Sequence, residues 1–117
     1  MRHKTEQIKK DMETYTSKYA IEQGKLFRYL DIIDNICQIL GFGEITITDY
    51  LRDNPKSLHS LGLAADIRVR DKPALMYLSL HTICKAIETV DKRLRTNFHY
   101  DMYGKPNQHI HVEIRYR

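Results

Sequence analysis

The chain has 117 residues, of which 42% are hydrophobic, so it is long enough to bury one core and too short for two domains. A net charge of +4 favours anionic partners, and charge alone does not choose among nucleic acid, a membrane surface and phosphate-rich wall polymers. The charged N-terminus and the lack of a long apolar run predict retention in the cytoplasm as synthesised, without membrane insertion. Cys37 and Cys84 are predicted to be buried free thiols.

Three segments show the hydrophobic periodicity of helices. Residues 6–23 are charged with a single apolar stripe, which predicts a covering helix. Residues 24–40 are more apolar and predict a helix within the core. We expect residues 1–117 to form a single domain, with residues 1–23 as its cover and residues 24–117 as its core. Residues 73–95 predict a third helix, and its apolar stripe runs to the end of the segment.

Shorter segments with period-two alternation predict strands. They cover residues 44–50, 64–69, 97–101 and 109–116. Helices come first, followed by strands that one long helix interrupts. This order indicates an α+β fold with a mostly antiparallel sheet packed against helices.

One stretch carries the most chemical information. Residues 57–66 have the pattern S-x-H-x-x-G-x-A-x-D, and two further histidines, His109 and His111, lie near the C-terminus. Two imidazoles and one carboxylate form a three-ligand set, the number that a catalytic zinc uses while leaving its fourth position to water. Gly62 supplies the bend between His59 and Asp66. The sequence therefore predicts a metal site.

This pattern resembles the zinc peptidases that cut D-amino-acid-containing peptides of bacterial cell walls, including D-alanyl-D-alanine carboxypeptidases and phage endolysins. The resemblance covers residues 45–114 and extends to the Hedgehog signalling domain, which shares the core fold. It implies a Hedgehog/DD-peptidase-like fold with zinc on the sheet face, held by His59, Asp66 and His111. A peptidoglycan peptide is the implied substrate, and a phage or prophage lysis enzyme, phage-associated or released at lysis, is the implied setting.

The same resemblance suggests roles for further residues. Arg52 fits the slot of an arginine that faces the zinc, where it would hold a substrate carboxylate or stabilise the oxyanion, although it also fits an ordinary solvated loop. His109 would hydrogen-bond substrate or the developing oxyanion. Ser57 would contact substrate or brace the His59 loop, and it also fits a simple turn.

The general base is where the chain departs from the family. In the cell-wall peptidases the acid lies three residues before the last histidine ligand, and in the Hedgehog branch it lies six before. Those slots hold Gln108 and Lys105 here, neither of which is an ordinary base. Asp101 is the candidate base and Glu113 the alternative, with a second role for Glu113 as a partner of a ligating histidine. Gln108 is assigned to substrate binding.

Two other classes of function stay open at this point. The chain could be a non-catalytic zinc-containing binding or structural module that kept the fold and lost the base. It could also bind nucleic acid through basic runs such as residues 92–95, but no recognised nucleic-acid motif accompanies them, so this partner is disfavoured. The sequence does not specify an oligomeric state.

Overall fold

The chain forms an α+β fold around one mixed sheet. The computed structural model describes residues 1–68, 72–99, 105 and 108–117. Within them, the elements in chain order are β1 (Arg2–His3), α1 (Glu6–Thr14), α2 (Ala20–Ile39), β2 (Thr46–Asp49), a 3₁₀ turn (Leu58–Leu61), β3 (Ala64–Arg68), α3 (Ala74–Val90), β4 (Leu94–Asn97) and β5 (His109–Ile114). None of the helices in this part of the chain is long and apolar enough to cross a membrane.

The sheet has the strand order β1-β2-β3-β5-β4. β1 pairs with β2 in parallel, and the pairings β2–β3, β3–β5 and β5–β4 are antiparallel, as predicted for most of the sheet. The register places Asp49 opposite Asp66, Asp66 opposite His111, and His111 opposite Asn97. Directly opposed residues point to the same face of a sheet, so these four positions form one row across the polar face.

The other face of the sheet meets the helices in one hydrophobic core. In β5 the predicted alternation is confirmed, because Ile110, Val112 and Ile114 are fully buried while His111 and Glu113 are only partly covered. The buried residues of α2 and α3 complete this core; they include Leu26, Leu30, Ile33, Met76, Leu80 and Cys84. The core therefore fixes the sheet from one side and leaves the polar row on the other.

Both cysteines are buried free thiols, as predicted. Burial raises the pKa of Cys37 to about 11 and the pKa of Cys84 to about 12. Neither is therefore a thiolate near neutral pH.

The first predicted helix is wrong in extent. α1 ends at Thr14, and residues 15–19 form a connection before α2 begins at Ala20. The side chain of Gln23 makes this break possible, because it accepts the backbone N–H of Ser17 at 3.0 Å and donates to the carbonyl oxygen of Tyr15 at 2.8 Å. A buried amide thus replaces the helical hydrogen bonds that the continuous periodicity had suggested.

The predicted end of the third helix is also wrong. α3 ends at Val90, and Leu94, which extended the apolar stripe, is instead the first residue of β4. Asp91 causes the change of direction, because its carboxylate accepts the backbone N–H of Arg93 at 3.0 Å in a local turn. The strand predicted at 97–101 accordingly lies at Leu94–Asn97, and its predicted last two residues lie outside the described residues.

The remaining strands are predicted in the right places, and the predicted bounds of two of them are too wide. The segment predicted at 44–50 is a strand over Thr46–Asp49, and the segment predicted at 109–116 is one over His109–Ile114. β3 is a strand over Ala64–Arg68, and the last residue of that prediction, Val69, lies outside the described residues.

Gly62 ends the 3₁₀ turn in the left-handed region, with a φ of +70°. A Cβ atom at this position would lie 2.7 Å from the Tyr50 hydroxyl oxygen and 2.8 Å from Cε1 of Tyr15. Both the backbone conformation and the close packing therefore require glycine, which confirms its predicted role in the bend.

We expect Gly62→Ala to lower the free energy of unfolding by about 2–4 kcal/mol, because it adds left-handed strain and a steric clash. Gly24→Ala is the matched control, since Gly24 lies within α2 and a Cβ atom added there would meet no neighbouring atom within 4 Å. That change should raise stability by about 0.5–1 kcal/mol. Urea denaturation measures both, and equal effects of the two substitutions would contradict the assignment.

Candidate metal centre

His59 is presented by the 3₁₀ turn between β2 and β3. The Ser57 hydroxyl oxygen accepts the backbone N–H of His59 at 3.2 Å, so Ser57 braces the turn, one of its two predicted roles. The imidazole is buried, with 1% of its surface exposed, and its Nδ1 lies 2.7 Å from the carbonyl oxygen of Tyr50. A carbonyl oxygen only accepts, so Nδ1 carries a proton and donates it.

The hydrogen bond at Nδ1 determines the state of the other ring nitrogen, Nε2. In the neutral imidazole, Nε2 of His59 holds a lone pair. It is buried and has no hydrogen-bond partner among the described residues. Oδ1 of Asp66 lies 3.4 Å from this nitrogen. A buried acceptor without a partner is costly, and coordination of a cation is one way to satisfy it.

Asp66 and His111 meet this nitrogen because they are opposed on β3 and β5. Nδ1 of His111 lies 2.9 Å from Oδ1 of Asp66. One potential ligand atom from each of His59, Asp66 and His111 can be chosen so that all lie within 4.8 Å of one another. This group could hold a metal ion, and its composition of two imidazoles and one carboxylate is the predicted one.

The two oxygens of Asp66 face different neighbours. Oδ1 faces both imidazoles of the candidate ligand set, whereas Oδ2 accepts a hydrogen bond from the Arg52 guanidinium at 3.1 Å. Nε2 of His109 lies 3.9 Å from the same Oδ2. The arginine therefore leaves Oδ1 as the oxygen for a cation, which favours coordination through a single carboxylate oxygen.

Glu113 occupies the far side of the His111 ring. Its Oε1 lies 2.8 Å from Nε2 of His111, and its Oε2 lies 3.7 Å from Nε of Arg115. A carboxylate that holds the outer nitrogen of a ligating histidine fixes the tautomer and raises the basicity of the inner nitrogen. The geometry therefore matches the second predicted role of Glu113, as a partner of a ligand, better than the role of base.

The electrostatics of the cluster favour an ion pair. Burial acts to raise the pKa of Asp66, but the hydrogen bond with His111 and the neighbouring His59 imidazole outweigh it and hold that pKa well below its usual range. Burial acts to lower the pKa of His111, but hydrogen bonds with Asp66 and Glu113 outweigh it and raise the pKa to about 9. A cation bound at Nδ1 would replace this proton.

The other predicted site residues are Arg52, His109, Gln108 and Asp101. Arg52 and His109 reach the cluster, on the side of Oδ2 of Asp66. Gln108 is buried immediately before β5, and its backbone N–H donates to the carbonyl oxygen of Lys105 at 3.1 Å. Asp101, the candidate base, lies outside the described residues.

Two residues of the site were missed by sequence reasoning. Asp49 accepts a hydrogen bond from Nε of Arg52 at 2.7 Å and so aims the guanidinium at Asp66. Strict alternation along β2 would place Asp49 on the buried face with Ile47, but the register shifts between these two residues and brings Asp49 opposite Asp66. Tyr50 acts through its backbone carbonyl, which no side-chain pattern reports. Neither contact therefore had a signal in the sequence.

No family model, curated protein or solved structure matches the chain. Inference about function therefore starts from the cluster itself and from the motif that it contains.

In metal-free protein, the pKa of His111 lies above its unfolded value of about 6.5, so its contribution to stability is complete below that pH and is lost as pH rises through about 9. We expect the stability difference between the wild type and His111→Gln to shrink over this range in urea denaturation. The difference is the relevant quantity because the raised pKa of the Met1 ammonium gives both proteins a loss of the same sign. An NMR titration midpoint for His111 near 6.5 would contradict the assignment.

Proposed function

We propose that the chain is a zinc-dependent peptidase of the cell-wall type, with a Hedgehog/DD-peptidase-like fold and a D-amino-acid-containing peptidoglycan peptide as substrate. The setting proposed with it is phage or prophage lysis. The observation that carries the proposal is the buried Nε2 of His59, which has no hydrogen-bond partner in the described residues and faces Asp66 and His111. The motif of residues 57–66 supplies the reaction class.

Zinc fits the chemistry of the donor set. Two imidazoles and one carboxylate suit zinc in catalytic sites, and calcium and magnesium prefer oxygen ligands. Ferrous iron also uses two histidines and one carboxylate, so the metal has to be identified by measurement. When bound, zinc would supply Lewis-acid polarisation of the scissile carbonyl and activation of a water.

Residues around the cluster would bind the substrate and orient the ligands. Arg52 lies beside Asp66 with its side chain about half exposed, so it can donate to an anionic oxygen of the substrate as well as to Oδ2. His109 lies on the same side and offers a second donor. Glu113 keeps Nδ1 of His111 directed inward by holding Nε2. The chain thus orients ligands and substrate through fixed hydrogen bonds.

A second candidate is a zinc-binding module of the same fold without hydrolytic activity. The specific observation in its favour is that Glu113 is committed to His111 while Gln108 holds the usual slot of the acid. In the peptidase proposal, Asp101 therefore has to take the proton from the attacking water. In the module, no residue does so.

The ligand assignment predicts near one zinc and little iron per chain, measured by elemental mass spectrometry on untagged protein purified without chelator. His59→Ala and His111→Ala should each remove most of the metal, because two ligands hold zinc far less tightly than three. His81→Ala is the matched control, since His81 lies on α3, packs against Phe98 and is not one of the three grouped ligands, and the metal content of this variant should stay unchanged. Loss of zinc in His81→Ala would mean that the ligand set is wrong.

A hydrolysis assay distinguishes the peptidase from the non-catalytic module. If the chain is a peptidase, zinc-loaded wild type should release peptide fragments from purified peptidoglycan, and Gln108→Glu should raise the rate by at least tenfold because it adds a buried carboxylate at the family position. Mass spectrometry of the fragments provides the measurement, and His111→Ala provides the blank. Full zinc occupancy with no hydrolysis by either protein would favour the non-catalytic module.

A further inference from the structure

A second row of polar side chains runs along β5 from the metal cluster and past the end of the strand at Ile114. His111, Glu113 and Arg115 follow one another at period two, and the contacts from His111 to Glu113 and from Glu113 to Arg115 confirm that they share a face. The contact of Arg115 with Glu113 is 3.7 Å long, too long for a hydrogen bond. Arg115 is about half exposed, so its guanidinium faces solvent at the end of this row.

An open cleft lies at the same end of β5. It has a volume of about 280 Å³ and is lined by Leu58, Arg115, Tyr116 and Arg117. Leu58 directly precedes the candidate ligand His59, so the 3₁₀ turn that presents the ligand also forms one wall of the cleft. The cleft and the metal cluster therefore share this turn.

The charge of the cleft selects for anions. Its two charged lining residues are both arginines. Tyr19 stacks on Tyr116 with ring centroids 4.2 Å apart, and the Arg117 guanidinium lies 5.1 Å from the Tyr116 ring. Both rings are thus already engaged, which disfavours stacking of nucleobases and favours a carboxylate.

The spacing sets the position of that carboxylate. Arg115 follows His111 by four positions, and extended chain advances about 3.4 Å per residue, which gives about 14 Å between them. A substrate peptide lying along β5 would be extended to a similar degree. A group that reaches the cleft is therefore about four residues from the bond at the metal.

We propose that the cleft beside Leu58 and Arg115 binds a carboxylate of the peptide substrate about four residues from the scissile bond, and that Arg115 determines this specificity. The inference rests on the proposed function, because it takes the metal cluster as the position of the scissile bond. The substrate would then carry two anionic groups, one in the cleft and a separate one near Arg52.

The test uses peptides anchored on the metal. A hydroxamate joined to four alanines is made with a free C-terminal carboxylate and, as its partner, with a C-terminal amide; a one-alanine pair is too short to reach the cleft. Binding to zinc-loaded protein is measured by calorimetry. We expect the four-alanine acid to bind about fivefold more tightly than its amide, and Arg115→Gln to abolish that preference. Arg28→Gln, the same charge change on α2 outside the cleft, should keep it.

Other results would overturn the proposal in distinguishable ways. Equal binding of the four-alanine acid and amide, with acetohydroxamate still bound, would refute the cleft and leave the metal site intact. A preference lost in Arg52→Gln but kept in Arg115→Gln would assign the carboxylate to Arg52 instead. Failure of every hydroxamate, acetohydroxamate included, to bind zinc-loaded protein would refute the open metal position and the cleft with it. Competition by oligo-dT that depends on Arg115, with acid and amide bound alike, would identify a nucleic-acid surface.

Discussion

The carbonyl oxygen of Tyr50, 2.7 Å from Nδ1 of His59, determines which nitrogen of that imidazole faces the cluster. The candidate ligand set depends on this contact, because the contact leaves a buried lone pair on Nε2 near the other two ligands. Tyr50 makes a second hydrogen bond to the same turn, since its hydroxyl donates to the carbonyl oxygen of Gly62 at 3.0 Å. Gln23 donates to the same hydroxyl at 2.8 Å and so connects the turn to α2.

The sheet provides the complementary half of the site by register alone. Asp66 and His111 are opposed on β3 and β5, so no loop has to bring them together. The carboxylate is almost fully buried between two imidazoles and a guanidinium, an arrangement in which charges must be paired to be tolerated. A cation at Oδ1 and the arginine at Oδ2 would neutralise the buried carboxylate from both sides.

Local patterns in the sequence predict the parts of the fold that depend on periodicity. The alternation of residues 109–116 predicts β5 and the shared face of its histidines, and the S-x-H-x-x-G-x-A-x-D spacing predicts the cluster of His59 with Asp66. The patterns fail where a side chain replaces backbone hydrogen bonds. Gln23 interrupts the first helix and Asp91 ends the third, although hydrophobic residues continue at helical spacing through both points.

Two contacts of the site could not be predicted from local patterns in the sequence. The contact that orients His59 comes from a backbone carbonyl, which is present at every residue and therefore leaves no mark in a sequence. The pairing of Arg52 with Asp49 and Asp66 depends on the register between strands, which becomes known only when the sheet is assembled. Tertiary pairing rather than residue type decides these contacts.

Long-range ¹H–¹⁵N NMR of the histidine side chains, recorded while zinc is added to metal-free protein, identifies the ligand nitrogens one by one. We expect Nε2 of His59 and Nδ1 of His111 to acquire the shifts of metal-bound nitrogens, while Nδ1 of His59 and Nε2 of His111 keep their protons. Zinc-induced shifts confined to His81, His99 or His109 would contradict the ligand assignment. So would coordination of His59 through Nδ1, because that requires the Tyr50 hydrogen bond to be absent.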